Sequence, residues 1–500
     1  MRVFNFCVGS SNLIRQGVDP VNDIDFIETE IKRFLSSERR RNMLMGERYY
    51  EGKHDILHRK REMIGAKGKL EEVKNLPNNR IVDNQYKKMV DQKVNYFLGQ
   101  PFTVQSENED YNKILKLIFD RKFLRLLKNV GENSFNCGIG WVFIYYNDEG
   151  KLTFRRFKPY EIIAGWGDEE HTKLDYAIRI YEVIDGAGHN EKIVQKVEVF
   201  HGGGISRFVF DGAKLKPDID QPTCEPYFVI GEDGYNWNRI PLIPFKYNSK
   251  EIPLILNIKN LQDGLNVILS NFQNNMEEDS RNTILIILNY DGENLGEFRK
   301  NLATFGAVKT RSVDGVKGGV EALKIEVNAE NYNAIIKIFK NAIMENAMGY
   351  DAKDDKMGRS ANEMNIQSMY SDIDLDTNKM ETEYQASFED LLYFVNLHLQ
   401  NAGFGDFEDE DVEIIFNRDM LMSENDIIEN IRNSMGILSD ETLVANHPWV
   451  DDLQAELDRK KGEKEQSRQD AENFQYGGAF MPANNGLVTN GAGIADNDGD

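Results

Sequence analysis

Three cations stand at a spacing of three in a charged segment between two stretches with helical periodicity. Lys353, Lys356 and Arg359 share the sequence DAKDDKMGR with three aspartates. Cations at this spacing could touch the phosphates of a nucleic acid without reading its bases. The alternative is a solvated connection between two helices. The spacing alone does not decide between these two interpretations.

No other set of side chains has a spacing typical of a catalytic or metal site. His54 and His58 are four residues apart, but no third ligand lies nearby, which favours a structural or solvated role. The acidic run from Asp406 to Asp411 lacks the glycine and the terminal glutamate of a calcium loop. Gly138-x-Gly140 precedes a predicted strand, unlike a dinucleotide-binding loop. The sequence therefore predicts a protein that is not an enzyme and uses no cofactor or metal.

Length and charge limit the classes of protein to consider. A chain of 500 residues is too long for one ordinary core, so about two to four domains are expected. The net charge of −23 argues against a general nucleic-acid coat, because such a coat needs a positive surface. The charge is uneven: 19 basic and 14 acidic side chains lie in residues 1–100, against 7 and 23 in residues 401–500.

Cysteine content and hydropathy bear on the compartment. The three cysteines, Cys7, Cys137 and Cys224, are widely spaced and offer no disulfide framework, so a reducing compartment is expected. No run approaches the roughly 18 apolar residues of a membrane helix. Polar residues at 10–12 interrupt the short apolar patch that ends at Val8, which argues against a signal peptide.

The charged segment follows a helical stalk that carries a small β head. Apolar residues recur at spacings of four and three from Leu254 to Met276 and again from Tyr332 to Ala347, which predicts two helices. Between them, residues 283–289 and 323–327 have the composition of strands, and several glycines up to Gly319 mark turns.

A very long helix is predicted after the charged segment. Ser360 and Glu363 form a capping box, an apolar stripe runs from Ile366 to Leu399, and Gly403 ends the pattern. About 40 residues at 1.5 Å each would span roughly 60 Å, which is more than one globular core needs. The rest predicts a strand at 412–416, helices near 423–434, 439–445 and 449–464, and a disordered tail over 466–500.

Two further regions precede the stalk. Asp25 and Glu28 resemble a capping box, which predicts one helix continuing to Tyr50; more helices are predicted from Ile81 to Phe97 and over 109–134. From residue 138 to 253 the apolar period changes to two, which predicts a mostly antiparallel β-rich region. Its candidate strands are 141–146, 153–157, 176–183, 194–201, 205–210 and 227–230.

Eight short motifs follow one another in a specific order. The first four are RYYEGKHDIL from Arg48, NNRIVDN from Asn78, MVDQK from Met89 and YFLGQP from Tyr96. The last four are FKPYE from Phe157, IPLIPF from Ile240, NYDGENL from Asn289 and GILSDET from Gly436. In this collinear order, over about residues 25–465, the chain resembles the portal proteins of tailed bacteriophages, the SPP1-type family.

The resemblance implies an α+β, multi-domain protomer that forms a ring, usually of twelve copies, at one capsid vertex of the virion. Double-stranded DNA would be driven through the ring by the terminase large subunit, without sequence specificity, and later be ejected through it. Other expected partners are a head-completion adaptor protein and the major capsid and scaffolding proteins. The protein would be made in the host cytoplasm and would contact no membrane.

The resemblance also implies domain boundaries. After an N-terminal arm (1–24), a wing would span 25–253, helical over 25–134 and β-rich over 135–253. Two stem helices (254–282 and 329–349) would carry an α/β clip (283–328). A tunnel loop (350–359), a long crossing helix (360–403), a helical crown (404–465) and a disordered acidic tail (466–500) would follow.

Within this scheme three groups of residues receive roles. Lys353, Lys356 and Arg359 would be the DNA-contacting residues of the tunnel loop. The clip residues proposed to face partners are Lys309, Arg311, Lys317 and Glu321, although ordinary exposed charges would explain each of them equally well. The stem residues proposed for oligomerisation are Leu261, Leu265, Ile268, Phe272, Phe339 and Ile343. This chain has Gly358-Arg359-Ser360 where family members often have Ser-Gly, so the length and end of its loop are expected to differ.

Two other functions remain open at this point. The chain could be a structural adaptor or scaffold that forms rings or filaments but conducts no DNA. It could also be an enzyme that acts on nucleotides within the β-rich region. A central hole wide enough for a duplex would favour the portal over the adaptor, and a melting temperature shifted by nucleotide or metal would favour the enzyme.

Overall fold

The fold is given by a computed structural model. The residues that the structure describes are 23–64, 68–73, 76–186, 191–279, 284–288, 294, 296, 300, 315, 319–323, 329–350, 363–418, 424–450 and 453–477. They belong to two compact units: one comprises residues 1–360 and 367–420, and the other residues 361–366 and 421–500. Both helices and sheets contribute, which agrees with the α+β class expected from the sequence.

The helices of the described chain are numbered here in chain order. They are α1 (Ile24–Leu35), α2 (Glu38–Tyr50), α3 (Gln85–Leu98), α4 (Glu109–Ile118), α5 (Arg121–Cys137), α6 (Ile255–Asp279), α7 (Ala329–Asn346), α8 (Glu363–Asn401), α9 (Glu424–Ser434), α10 (Asp440–Ala445) and α11 (Leu453–Gly477). Short 3-10 turns occur at Asp55–His58 and Pro159–Glu161. None of these described helices is long and apolar enough to cross a membrane.

The strands between α5 and α6 form the β-rich region that the period of two predicts. They are β4 (Ile139–Tyr146), β5 (Leu152–Phe157), β6 (Ile162–Trp166), β7 (Leu174–Asp185), β8 (Lys192–His201), β9 (Gly204–Phe210), β10 (Leu215–Pro217), β11 (Cys224–Glu225), β12 (Phe228–Ile230), β13 (Asp233–Tyr235) and β14 (Leu242–Lys246). Strands β10-β9-β8-β7-β6 form one antiparallel sheet, with β11 added to β9, and β14-β4-β5 form a second. β12 and β13 pair as a separate hairpin.

The remaining strands pair outside these sheets. They are β1 (Glu62–Ile64) with β2 (Leu70–Glu72), β3 (Thr103–Gln105) with β17 (Glu413–Ile415), and β15 (Ile284–Leu288) with β16 (Gly319–Leu323). β16 begins earlier than the strand predicted at 323–327. Gly319, which was predicted to mark a turn, is the first residue of this strand. Residues 324–328 lie outside the described structure.

The first predicted helix is in fact two helices. The chain breaks at Ser36 and Ser37, and the Ser37 hydroxyl caps α2 by accepting the Arg40 N–H, so the second helix has its own start. Asp23, not Asp25, caps α1. A serine side chain satisfies an unpaired N–H at a helix start, which stabilises a break that apolar periodicity alone does not reveal.

The long helix α8 supplies the centre of the largest hydrophobic core. Its predicted apolar stripe is confirmed from Ile373 to Leu399, where the stripe residues are buried. The Phe388 ring meets Phe102 and Phe245 with ring centroids 5.1 and 5.9 Å apart, so α8 joins the helical part of the chain to β14. Full burial of such side chains contributes about 1.5–3 kcal/mol each.

The C-terminal unit is helical. Ser439 caps α10 through the Thr442 N–H, and Lys460 of α11 lies 3.1 Å from Asp440. Helix α11 runs to Gly477, so the prediction of disorder from residue 466 is wrong for the residues up to 477. Residues 466–477 include three Gln, one Arg, one Glu and one Ala, which are good helix formers.

Candidate functional site

Helices α6 and α7 pack along each other, as the stalk prediction requires. Gly264 of α6 faces Phe339 of α7 so closely that an added Cβ would lie 2.5 Å from the ring. Further along, the Phe272 and Tyr332 rings are 4.9 Å apart, and the Asn275 amide donates to the Tyr332 hydroxyl at 2.8 Å. The two helices therefore form one continuous unit whose contacts repeat over several turns.

The six predicted stem residues divide by burial. Leu265 and Ile343 are fully buried inside the protomer, and this leaves them no surface to offer a second copy of the chain. Leu261, Ile268, Phe272 and Phe339 are half-buried. The same two helices also expose large apolar side chains that the prediction did not include: Leu256, Val267, Met276, Ile335 and Ile338.

A second face of α6 carries a ladder of buried polar side chains. Gln262, Asn266, Ser270 and Asn274 recur every four residues, and all four are buried. Residues four apart lie on one helix face. Each oxygen accepts a backbone N–H from the chain between Asn79 and the first turn of α3: Tyr86 at 3.0 Å, Asp83 at 3.0 Å, Ile81 at 3.0 Å and Asn79 at 2.7 Å, respectively.

This ladder provides hydrogen-bond acceptors to a segment that has no strand partner. A buried backbone N–H left unpaired is destabilising, so four accepted bonds hold the segment from Asn79 to Tyr86 along α6. Apolar spacing alone does not reveal the ladder. The signal was present as Gln, Asn, Ser and Asn at a constant spacing of four, beside the apolar stripe.

His54 joins this network at Asn266. Its Nε2 lies 3.0 Å from the Tyr49 carbonyl oxygen, and the Asn266 amide lies 2.8 Å from Nδ1. The carbonyl can only accept, so Nε2 carries the proton and Nδ1 accepts from the amide. Burial lowers the pKa of His54, which favours this neutral form. The structural role that the sequence favoured for His54 is confirmed, and His58 is exposed.

Comparison with known proteins decides the family. The model of the family "Phage portal protein, SPP1 Gp6-like" matches residues 35–470 of this chain. The chain belongs to this portal protein family. The resemblance inferred from the eight motifs is thereby confirmed.

Two curated portal proteins show how far the similarity extends. The portal protein of Bacillus phage SPP1 is 27% identical over 443 residues, which cover 88% of this chain and 86% of that protein. The portal protein of Clostridium phage phiCD119 is 25% identical over 464 residues, covering 89% of this chain and 99% of that protein. The family is structural, a component of the virion at the capsid, and not a family of catalysts.

The charged residues predicted for this portal family member lie mostly outside the described structure. Lys353, Lys356 and Arg359 fall between Tyr350 and Glu363, where no placement is described. The clip residues Lys309, Arg311 and Lys317 are also outside it. Glu321 lies on β16, opposite Ile286 of β15. Among the described residues, no group of three or more His, Cys, Asp or Glu could hold a metal ion.

Proposed function

We propose that this chain forms a ring of twelve copies at one vertex of the capsid, and that double-stranded DNA is packaged and later ejected through the ring. The observation that carries the proposal is the family match over residues 35–470. In this proposal the wing, stem, clip, tunnel loop, crossing helix and crown have the boundaries that the resemblance implies. The terminase large subunit drives the DNA, and the ring connects head and tail.

Ring closure needs two different surfaces of one protomer that fit each other. Such a head-to-tail interface closes into a ring when its rotation completes a circle. The exposed apolar residues of α6 and α7, with Val267, Met276 and Ile338 among them, support a stem that packs against its neighbours. Covering apolar surface stabilises an interface by about 25 cal/mol per Å². The half-buried Leu261, Ile268, Phe272 and Phe339 keep part of their surface for the same contact.

A DNA conduit must hold its ring together without gripping the duplex. Each contact between a cation and a phosphate releases counterions and adds affinity, so a passage with few cations lets DNA slide. The net charge of −23 supports such a passage. Lys353, Lys356 and Arg359 would make weak backbone contacts that do not depend on sequence, and the neighbouring aspartates would weaken these contacts further.

The clip is the proposed contact for the terminase and the head-completion adaptor, and the major capsid and scaffolding proteins would contact the outside of the ring. Deletion of residues 290–320 is expected to leave rings intact, because the stem helices lie outside the deletion, and to abolish terminase docking. Size-exclusion chromatography with mass measurement reports the ring, and co-sedimentation reports the docking. Loss of the ring itself would contradict this division of roles.

A structural ring that conducts no DNA is the alternative, and one experiment separates the two. Capsids assembled with the wild-type chain should take up DNA in the presence of terminase and ATP and should protect it from nuclease. Capsids that contain the ring but protect no DNA would favour the structural adaptor.

A further inference from the structure

The four residues after α7 are held tightly although they form no helix or strand. Met348 has a left-handed backbone (φ 51°), and the Gly349 N–H returns to the Met344 carbonyl at 2.9 Å. This bond satisfies one of the last carbonyls of α7, and the left-handed residue turns the chain away from the helix axis. The chain at Tyr350 is therefore directed by contacts other than those of α7.

Gln92 of α3 grips the backbone of Tyr350 at both of its polar groups. Its Nε2 donates to the Tyr350 carbonyl at 2.8 Å, and its Oε1 accepts the Tyr350 N–H at 3.2 Å. Gly349 makes room for this grip, since an added Cβ would lie 2.9 Å from Gln92 Oε1 and 2.7 Å from Met89 Sδ. The Gln92 amide thus pairs with both backbone polar groups of Tyr350, as the backbone of a neighbouring strand would.

A buried ion pair fixes the residue two positions earlier. Lys93 is 1% exposed, and its Nζ donates to the Met348 carbonyl at 3.0 Å and to Asp376 Oδ2 at 2.7 Å. The Tyr247 hydroxyl donates to the same Asp376 oxygen at 2.7 Å. A buried charge is tolerated only with such partners, so this arrangement ties α3, α8 and the end of α7 together.

Aromatic rings complete the clamp from the side of α8. The Tyr350 ring lies 4.6 Å from Tyr370 of α8, and Tyr370 in turn stacks on Tyr96 of α3 at 5.5 Å. Aromatic pairs at these separations add about 0.5–1.5 kcal/mol beyond the area they bury. Residues 348–350 are therefore held between α3 on one side and α8 on the other.

We propose that Gln92, Lys93 and Asp376 are positioning residues: they fix residues 348–350 between α3 and α8, and thereby set the direction in which the chain leaves the end of α7 independently of the packing of α7 itself. The inference rests on the proposed function, because the segment that follows carries the cations proposed to touch DNA. It assigns to α3, a helix distant in sequence, the task of fixing the chain where it continues after Tyr350.

Hydrogen exchange in the assembled ring tests the clamp at Gln92. The variant Gln92→Ala should speed exchange of the Tyr350 amide about tenfold, because the N–H loses its acceptor. Exchange within α7, up to Met344, should stay as in wild type. Gln92→Glu keeps the acceptor but loses the donor, so its effect should be intermediate. Lys88→Ala, at an exposed position one turn earlier on α3, is the matched control and should change nothing.

The ion pair is tested with both charges removed. Lys93→Met alone leaves a buried carboxylate and is expected to fold poorly, whereas Lys93→Met combined with Asp376→Asn removes both charges and keeps the shape. Rings of the double variant should show faster exchange at residues 348–350 with α7 unchanged. If α7 exchanges faster to the same extent as residues 348–350, the residues are merely structural and the proposal fails.

The functional readout is the amount of DNA protected in capsids. Gln92→Ala rings should package less DNA than Lys88→Ala rings at equal ring content. Unchanged Tyr350 exchange, or changed exchange with wild-type packaging, would overturn the proposal. If wild-type rings package no DNA, the proposed function fails, while the exchange comparison still decides whether the clamp exists.

Discussion

Replacement of Asn266 by alanine is the sharpest test of how helix α6 is attached to the segment before α3. The Asn266 side chain makes three hydrogen bonds: it accepts the Asp83 N–H at 3.0 Å, donates to His54 Nδ1 at 2.8 Å and accepts from Gln262 Nε2 at 3.2 Å. Asn266 and His54 are fully buried. Alanine removes Asn266 as the partner of these groups, and buried polar groups are normally hydrogen-bonded.

The magnitude follows from the groups left unpaired. The Asp83 N–H and His54 Nδ1 each lose a partner, and a buried polar group without one costs about 1–3 kcal/mol. Alanine regains up to about 0.7 kcal/mol through its higher helix propensity. The free energy of unfolding should therefore fall by about 2–4 kcal/mol. Gln273→Ala on the same helix is the control, because its amide is exposed and bonds only to Glu277 among the described contacts.

The assay is urea unfolding of both variants at one fixed protomer concentration, since assembly makes apparent stability depend on concentration. Gln273→Ala should lie within about 0.5 kcal/mol of wild type. Exchange of the Asp83 amide should also rise in Asn266→Ala. If Asn266→Ala is as stable as Gln273→Ala, the ladder does not hold the segment before α3, and the reasoning is wrong.

Three further outcomes are expected. Gly138→Ala should lower the free energy of unfolding by more than about 2 kcal/mol in thermal unfolding, because Gly138 has φ +83° and a Cβ would lie 2.1 Å from the Glu251 carbonyl oxygen. The control is Gly150→Ala, at φ +72° with open space around it, which should cost only about 1–2 kcal/mol. Equal losses in the two variants would refute the clash at Gly138. Burial raises the pKa of Glu30 to about 7 although Arg33 lowers it. The pKa of Glu30 is thus higher in the folded than in the unfolded chain, so the stability contributed by the protonated carboxyl is present at acid pH and lost as the pH rises through about 7. Glu30→Gln should therefore stabilise the folded protein more at pH 8 than at pH 5. An effect of the same size at both pH values would contradict this. Alanine at all three proposed tunnel-loop cations should leave rings intact but reduce packaging and retention of DNA, measured as nuclease-protected DNA, and wild-type amounts would remove their proposed role.

Much of the fold could be predicted because apolar spacing reports which face of an element is buried. The stripe of α8 and the alternation of β7 and β8 were visible in single stretches of sequence. The pairings that join distant stretches were not. Strand β17 pairs with β3 across some three hundred residues, and β14 pairs with β4, because tertiary packing decides which strand edges meet.

The site was predicted less completely than the family. The eight motifs identified the family, but the contacts that hold α6 and residues 348–350 depend on polar residues whose partners lie far away in sequence. Gln92 contacts Tyr350, and Lys93 contacts Asp376, through packing that no local spacing reveals. Burial of Leu265 and Ile343 within one protomer likewise could not be told from burial between protomers, since both give the same apolar stripe.

Electron microscopy of the purified particle, in the absence of DNA, would show whether the chain forms a ring. We expect an annulus of twelve protomers whose hole admits a duplex, with α6 and α7 side by side around it and residues 351–359 facing the shared axis. A compact monomer, or a ring with residues 351–359 on its outer surface, would contradict the proposed function.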